Sequence, residues 1–185
     1  MGKLRLTELS LSGAYLIEPN KHDDHRGSFS RVFCQEEISQ IFDGHIAQIN
    51  HSITLKKGSI RGLHFQYPPN AEVKMVKCIK GSVFDVIVDI RQNSKTFLQW
   101  VGKVLSDKNM CMMYVPKGFA HGFQTLEDDT ELLYLHSEVY VPKNESGLNV
   151  LDPMLSIDWP LPMSDSSKRD SNQAMIEKDF KGLVV

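Results

Sequence analysis

The sequence predicts an all-β fold, a two-sheet sandwich or jelly roll with few short helices. Three observations carry this expectation. Short apolar stretches of strand length recur along the chain and are punctuated by turn residues at fairly regular intervals, the rhythm of an all-β domain. Helical periodicity is scarce. The chain has 185 residues, of which 41% are apolar and 24% charged; this allows a sizeable core and suits one compact domain, read as residues 1–185. Nine or ten short strands in such a length, roughly counted, manage their edges by packing two antiparallel sheets. Periodicity alone does not choose between sandwich and jelly roll.

Taken in order, residues 14–18 end at Pro19-Asn20, residues 28–33 follow Arg26-Gly27, and residues 46–54 run to the turn Lys56-Lys57-Gly58. Each is strand-sized. Residues 75–80 lead into Gly81 and residues 82–91 continue after it, with Val83, Asp85, Ile87 and Asp89 on one face and Phe84, Val86, Val88 and Ile90 on the other. The spacing predicts a hairpin with one dry face and one face carrying carboxylates. Further strands are expected at 100–106, 110–115, 122–126 and 130–140. A helix is expected at 35–42, with a second near the C-terminus. From Asp152 onward, Asp152-Pro153, Trp159-Pro160-Leu161-Pro162 and the polar run 164–172 predict an irregular segment, 152–185, packed on the barrel.

Lys plus Arg (21) against Asp plus Glu (23) gives a formal charge of -2 without a basic block, so no nucleic-acid or membrane partner is expected. An anionic ligand must therefore meet local positive charge. Cys34, Cys78 and Cys111 are odd in number and lack CxxC spacing, which argues against disulfides and zinc knuckles and fits a reducing compartment. The N-terminal stretch has no apolar core of a signal peptide and no run approaches membrane-spanning length, so a cytoplasmic location is expected.

The densest unusual stretch is Gly58-Ser59-Ile60-Arg61-Gly62-Leu63-His64-Phe65-Gln66, a strand pattern with Arg61 and His64 between glycines. Gly62 permits close approach of another group to the backbone. Lys74 heads the next strand, and Pro116-Lys117-Gly118-Phe119-Ala120-His121 follows later. This layout resembles the two motifs of the cupin superfamily, whose fold is a double-stranded β-helix, the cupin jelly roll. Five residues separate Gly58 from His64, but the second His position is Gln66, and Lys74 stands where a carboxylate ligand would be. The second motif is intact as Pro116, Gly118 and His121. An ammonium in place of a carboxylate repels a divalent ion, so neither a metal nor another cofactor is expected. Two imidazoles, an amide, a lysine and an arginine suit an anionic intermediate: His64 can remove a proton and Lys74 can stabilise an oxyanion.

Several further blocks narrow the resemblance. Arg61 to Gln66, Lys74, Val83-Phe84-Asp85-Val86-Ile87-Val88-Asp89-Ile90-Arg91, Ser94-Lys95-Thr96-Phe97, Gly118-Phe119-Ala120-His121-Gly122-Phe123 and Ile157-Asp158-Trp159-Pro160 resemble the dTDP-4-dehydrorhamnose 3,5-epimerase family from about Gly13 to Asp170. The resemblance implies a dimeric, cofactor-independent cupin that epimerises a dTDP-linked 4-keto-6-deoxyhexose. The family's base falls on His64, its acidic partner on Asp170, its proton-donating tyrosine on Tyr134 and its enolate-holding lysine on Lys74. Its nucleobase-stacking aromatic falls on Tyr140. The remaining substrate contacts fall on Arg26, Gln48, Asn50, Arg61, His121, Glu145 and Arg169. A proton α to a ketone needs a base near neutral pKa, which imidazole supplies, and Arg26, Arg61 and Arg169 supply charge for a diphosphate.

Without the resemblance, Tyr134 and Tyr140 read as barrel-filling aromatics, Arg26 as a turn residue, and Asp85 and Asp89 as buried structural acids. Two positions depart from the family pattern: Arg31 stands where many members have Glu, and Asn149-Val150-Leu151 lacks the aromatic usual before Asp152-Pro153. A mono-epimerase or a 3,4-ketoisomerase would keep the same pocket. A metal-dependent oxygenase is disfavoured by Gln66 and Lys74, and a non-enzymatic sugar-binding cupin by the joint presence of base, acid and oxyanion lysine.

Overall fold

The structure, a computed structural model, describes residues 3–185. It is almost entirely β. The first strands are β1 (Arg5–Glu8), β2 (Tyr15–Glu18), β3 (His22–Asp24) and β4 (Gly27–Phe29), followed by a short helix α1 (Gln35–Ile38). The barrel strands are β5 (Gln48–Thr54), β6 (Ile60–Gln66), β7 (Lys74–Lys80), β8 (Ser82–Asp89), β9 (Trp100–Ser106), β10 (Met112–Val115), β11 (Phe119–Thr125) and β12 (Thr130–His136). After a 3-10 turn at Pro142–Asn144 come β13 (Glu145–Gly147) and a second short helix, α2 (Lys168–Ser171). A six-stranded sheet, β1-β2-β10-β7-β12-β5, faces a five-stranded sheet, β13-β6-β11-β8-β9, and β3 and β4 form a separate ribbon. The two facing antiparallel sheets make the jelly roll.

Apolar packing forms three layers. Val76, Cys78, Val83, Ile87, Leu105, Met113, Phe123 and Leu132 fill the space between the sheets. Outside the five-stranded sheet, Leu63, Phe65, Val86, Val88 and Ile90 are covered by Leu148, Val150, Leu155 and Leu183, with Trp159 against them. Gln124 clamps this C-terminal covering at two points, donating to the Leu161 carbonyl at 2.8 Å and accepting its N–H at 3.0 Å. Outside the six-stranded sheet, Ile17, Met75, Met112 and Leu135 are covered by Ile38 and Phe42.

The hairpin expected around Gly81 does not form. Strands β7 and β8 belong to different sheets, and the chain turns from one to the other at Gly81, where φ is +76° and a Cβ would lie 2.8 Å from Thr130 Oγ1. Both faces of β8 are consequently dry: Val83, Asp85, Ile87 and Asp89 point between the sheets, and Val86, Val88 and Ile90 lie under the C-terminal segment. Apolar residues on both faces fit a strand buried on both sides.

Other boundaries shift for similar reasons. The strand expected at 28–33 is regular only at Gly27–Phe29, because Val32 and Phe33 turn onto the layer that α1 completes. The helix expected at 35–42 is regular only to Ile38, with no side-chain cap from Cys34. Strand β12 ends at His136, where the Ser137 N–H bonds to the Val73 carbonyl and the Ser137 hydroxyl accepts the Val73 N–H. Strands β1 and β3 are too short and too exposed to leave an apolar pattern, and β13, Glu-Ser-Gly, has no apolar side chain.

Asp89 closes one end of the barrel. It is fully buried and accepts from the Arg91 guanidinium at 2.7 and 2.9 Å, the Arg91 N–H at 3.0 Å, and the Ser94 and Thr96 hydroxyls at 2.6 Å each. Burial pushes its carboxyl up, but these donors outweigh burial and hold it at about 2. A depressed carboxylate adds stability that is fully present above its unfolded value near 3.8 and is lost as pH falls through about 2. Denaturant unfolding of the parent and Asp89→Asn should differ on the order of 2 kcal/mol near pH 7, and the gap should close between about pH 4 and pH 2. A gap independent of pH would assign the effect to packing instead of charge.

Candidate active site

The site lies in a cleft of about 1060 Å³ at the open end of the barrel, between the two sheets. One wall is built from β6 and β11. In that pairing His121 is opposite His64, whereas Phe123 is opposite Arg61, so three steps along β6 match two along β11. This bulge explains a feature that strand alternation would forbid: Arg61 and His64, an odd number of residues apart, both line the cleft. It forms around Gly62, where φ is +131° and a Cβ would lie 2.5 Å from the Cα of Gly122. The close approach expected of Gly62 is thus met by another glycine.

His64 bonds through Nε2 to Asp170 Oδ1 at 2.7 Å. Asp170 comes from α2, whose N-cap Ser167 accepts the Asp170 N–H at 3.0 Å and so fixes the carboxylate over β6. Asp170 Oδ2 also accepts the Gly62 N–H at 3.3 Å. Burial pushes the Asp170 carboxyl up, but His64, Gly62 and Ser167 together hold it below its ordinary value. An ionised carboxylate on Nε2 orients the ring and leaves Nδ1 free to act on a ligand.

His121 bonds to Asp85 Oδ2 at 2.8 Å, and both side chains are buried. Asp85 Oδ1 has no partner among the described residues, and burial raises this carboxyl against the opposing influence of His121 and Lys74. The structural reading of Asp85 and Asp89 fits these contacts. Gln66, in the second imidazole position of the cupin pattern, clamps two loops: it donates to the carbonyls of Asn70 at 3.1 Å and Val139 at 3.3 Å and accepts the Val141 N–H at 2.7 Å. Among the described residues no group of three or more His, Cys, Asp and Glu side chains is arranged to hold a metal ion. The donor chemistry also fits a metal poorly, since the Gln66 amide and the Lys74 ammonium stand where the cupin pattern would supply an imidazole and a carboxylate.

The opposite wall is the six-stranded sheet. Tyr134 on β12 bonds through its hydroxyl to Ser52 at 3.0 Å, and burial pushes its phenol up to about 12. The phenol is therefore protonated at neutral pH. Its ring lies edge-on to His121 at 6.4 Å and stacks on His136 at 6.1 Å. Lys74 on β7 is ion-paired with Glu72 at 3.2 Å.

Toward the mouth, the half-exposed Tyr140 donates its hydroxyl to Glu145 at 2.5 Å, and Glu145 pairs with Arg169 at 2.8 Å. Arg61 donates to Thr54 Oγ1 at 2.9 Å and to the Ile53 carbonyl at 3.1 Å, both neutral acceptors, so its charge is available to an anion. Gln48, Asn50, Arg61, His64, Lys74, His121, Tyr134, Tyr140, Glu145, Arg169 and Asp170 all line the cleft. Arg26 does not join them. It sits on the exposed β3–β4 ribbon, paired with Asp24 at 2.7 Å. Glu72, Ser52 and His136 also line the cleft and were not expected from the sequence, because nothing in their spacing marks them. Arg31, a departure from the family pattern, pairs with Glu37 instead of facing the cleft.

Comparison with known proteins places this geometry. A dTDP-4-dehydrorhamnose 3,5-epimerase of Methanothermobacter thermautotrophicus is 41% identical over 177 residues, covering 93% of this chain and 94% of that protein. The crystal structure of a dTDP-4-dehydrorhamnose 3,5-epimerase from Bacillus anthracis, with TDP and pyrophosphate bound, superposes with a TM-score of 0.91 at 36% identity, covering 94% of this chain and 99% of that one. A dTDP-6-deoxy-D-glucose-3,5-epimerase from Legionella pneumophila, in complex with dTDP-4-keto-L-rhamnose, gives a TM-score of 0.89 at 36% identity, covering 93% and 92%. Residues 8–178 match the sequence profile of the same group, and with identities of this size over almost the whole length the chain belongs to the dTDP-4-dehydrorhamnose 3,5-epimerase family.

Proposed function

We propose that this protein inverts C3 and C5 of dTDP-4-dehydro-6-deoxy-D-glucose to give dTDP-4-dehydro-L-rhamnose. The observation that carries the reading is the opposition of a carboxylate-oriented imidazole, His64, on one sheet and a buried, protonated phenol, Tyr134, on the other. The C4 ketone acidifies the protons on both flanking carbons. His64 removes one through Nδ1, the C4 oxygen gains negative charge beside the Lys74 ammonium, and Tyr134 returns a proton to the opposite face. A second round at the other carbon needs a ring reorientation and a reset of both groups, His64 giving its proton to solvent and the Tyr134 phenolate taking one from it. Arg61 and Arg169 meet the diphosphate, and Tyr140 stacks on the base.

The assembly we infer is a homodimer. Edge strand β5 exposes Ile49 and Ile53, followed by Leu55, and the β3–β4 ribbon exposes Phe29. Large apolar side chains along an unpaired sheet edge favour pairing with a second copy. Arg26, which lies outside its own cleft, would contact substrate from the ribbon of that second copy. Among the described residues no helix is long and apolar enough to cross a membrane. A cytoplasmic location rests on the free thiols Cys34, Cys78 and Cys111.

Extensive chelation should leave the activity unchanged, because the donor set of the cleft suits no divalent ion. About one Fe, Mn or Zn per chain by elemental analysis, with activity lost on its removal, would revive the oxygenase reading. Tyr140→Ala should weaken TDP binding by roughly 1–3 kcal/mol by calorimetry, the range for stacking of a base on an aromatic ring. An unchanged Kd would remove Tyr140 from the nucleotide site.

Deuterium exchange read by NMR separates base from acid. His64→Ala should abolish exchange at both C3 and C5, since no enolate forms. Tyr134→Phe keeps His64 and Lys74, so exchange with retention should continue while inverted product falls. A His64→Ala protein that exchanges normally, with Tyr134→Phe silent, would reverse the two roles; absence of exchange in the parent would sink the enzymatic reading.

A further inference from the structure

Two ionisable side chains in the cleft have no part in the chemistry above. Glu72 lies two residues before Lys74, and His136 is directly opposite Lys74 in the pairing of β12 with β7. The Glu72 carboxylate accepts from Lys74 Nζ at 3.2 Å through Oε1 and bonds to His136 Nδ1 at 2.7 Å through Oε2. All three side chains are nearly buried, between 8% and 12% exposed, so their pairing is not screened away as a surface ion pair would be. On its other side His136 Nε2 faces Asn50 Nδ2 at 3.4 Å. Asn50 Oδ1 accepts from Gln48 Nε2 at 3.0 Å, and Gln48 Oε1 accepts the backbone N–H of Tyr140 at 3.0 Å. A continuous polar chain thus runs from the enolate lysine to the nucleotide end of the cleft.

Donor and acceptor counting gives this chain a direction. The Gln48 oxygen receives the Tyr140 N–H, so Gln48 turns its amide nitrogen to Asn50, and Asn50 turns its own to His136. His136 Nε2 is then an acceptor, the ring proton sits on Nδ1, and Nδ1 donates to Glu72. Lys74 has only donors. Every link converges on the Glu72 carboxylate; burial pushes that group up, but the His136 bond and the Lys74 charge outweigh burial and hold it below its ordinary value.

We propose that Glu72 is a positioning residue of the reaction: it fixes the Lys74 ammonium where the enolate oxygen forms and, through the Nδ1–H tautomer of His136, ties that ammonium to the wall carrying Asn50, Gln48 and Tyr140. The role rests on the epimerase reading. Glu72→Gln nearly preserves volume, but an amide has only one acceptor oxygen, so its NH2 must oppose either the Lys74 ammonium or the His136 Nδ1–H. One link breaks, and in either case the ammonium loses the buried negative charge that holds it in place. Misplacement of a group that acts on the developing oxyanion affects turnover more than binding of the nucleotide.

The test compares parent and Glu72→Gln in kcat, KM, Kd for dTDP and the tautomer of His136, read from the nitrogen shifts of histidine-labelled protein. The parent should carry the ring proton of His136 on Nδ1. Glu72→Gln should lose about tenfold to a hundredfold in kcat, while Kd for dTDP changes by less than about threefold. The tautomer of the parent needs no variant to fold. A ring proton on Nε2 of the parent, parental kcat in Glu72→Gln, or equal losses of kcat and dTDP affinity would each overturn the role, the last making Glu72 a structural anchor. A parent without deuterium exchange at C3 or C5 would sink the epimerase reading and this role with it, whereas parental exchange in Glu72→Gln sinks the role alone.

Discussion

The site depends on one backbone contact, the approach of Gly62 on β6 to Gly122 on β11. A side chain at either position would collide with main-chain atoms, 2.5 Å away at Gly62 and 2.7 Å at Gly122. The absence of both lets the extra residue of the bulge fit between the strands, which turns Arg61 and His64 onto one face and sets His64 opposite His121. The same segment frees the Gly62 N–H to bond Asp170, so the bulge also docks the helix that orients the base. One steric allowance thus positions His64, its carboxylate and Arg61, the residues proposed as base, orienting group and diphosphate contact.

A barrel with buried charges at both ends must satisfy each of them separately. At the closed end Asp89 is saturated by Arg91, Ser94 and Thr96. At the open end the arrangement is less complete. His64 has Asp170, His121 has Asp85, and Lys74 has Glu72, yet Asp85 Oδ1 has no partner among the described residues and Arg61 bonds only neutral oxygens. Unsatisfied polar capacity is costly in a core, where Asp85 is fully buried, and open to a ligand in the cleft that Arg61 lines.

Much of this was legible in the sequence, for definable reasons. The all-β class followed from strand-length apolar runs, while the jelly roll and the positions of His64, Lys74 and His121 followed from the resemblance to cupin spacing. The sheet change at Gly81 was not legible: a hairpin and a crossing between sheets leave the same local pattern of glycine between two apolar strands. Nor was the joint orientation of Arg61 and His64, because simple alternation assigns them to opposite faces. Glu72 and His136 escaped because each reads alone as an ordinary polar residue and only the β7–β12 pairing brings them together. Arg26 was placed by resemblance, and in a single chain it lies on a ribbon away from the cleft.

Inversion at a carbon requires groups on both of its faces, and two opposed sheets provide them without mobile parts. His64 belongs to the five-stranded sheet, Tyr134 and Lys74 to the six-stranded one, and each is held by a partner from a different element: α2 for His64, β5 for Tyr134, the segment before β7 for Lys74. Their roles follow from unlike environments. Burial pushes the Tyr134 phenol up to about 12, which keeps on it the proton that the proposed role requires. Burial pushes the Asp170 carboxyl up, but His64, Gly62 and Ser167 hold it below its ordinary value, so a carboxylate stays on the imidazole it orients. In the proposed reaction the net proton transfer runs from Tyr134's side to His64's, between a desolvated phenol on one sheet and a carboxylate-held imidazole on the other, and a register slip of one residue in either strand would turn its group out of the cleft.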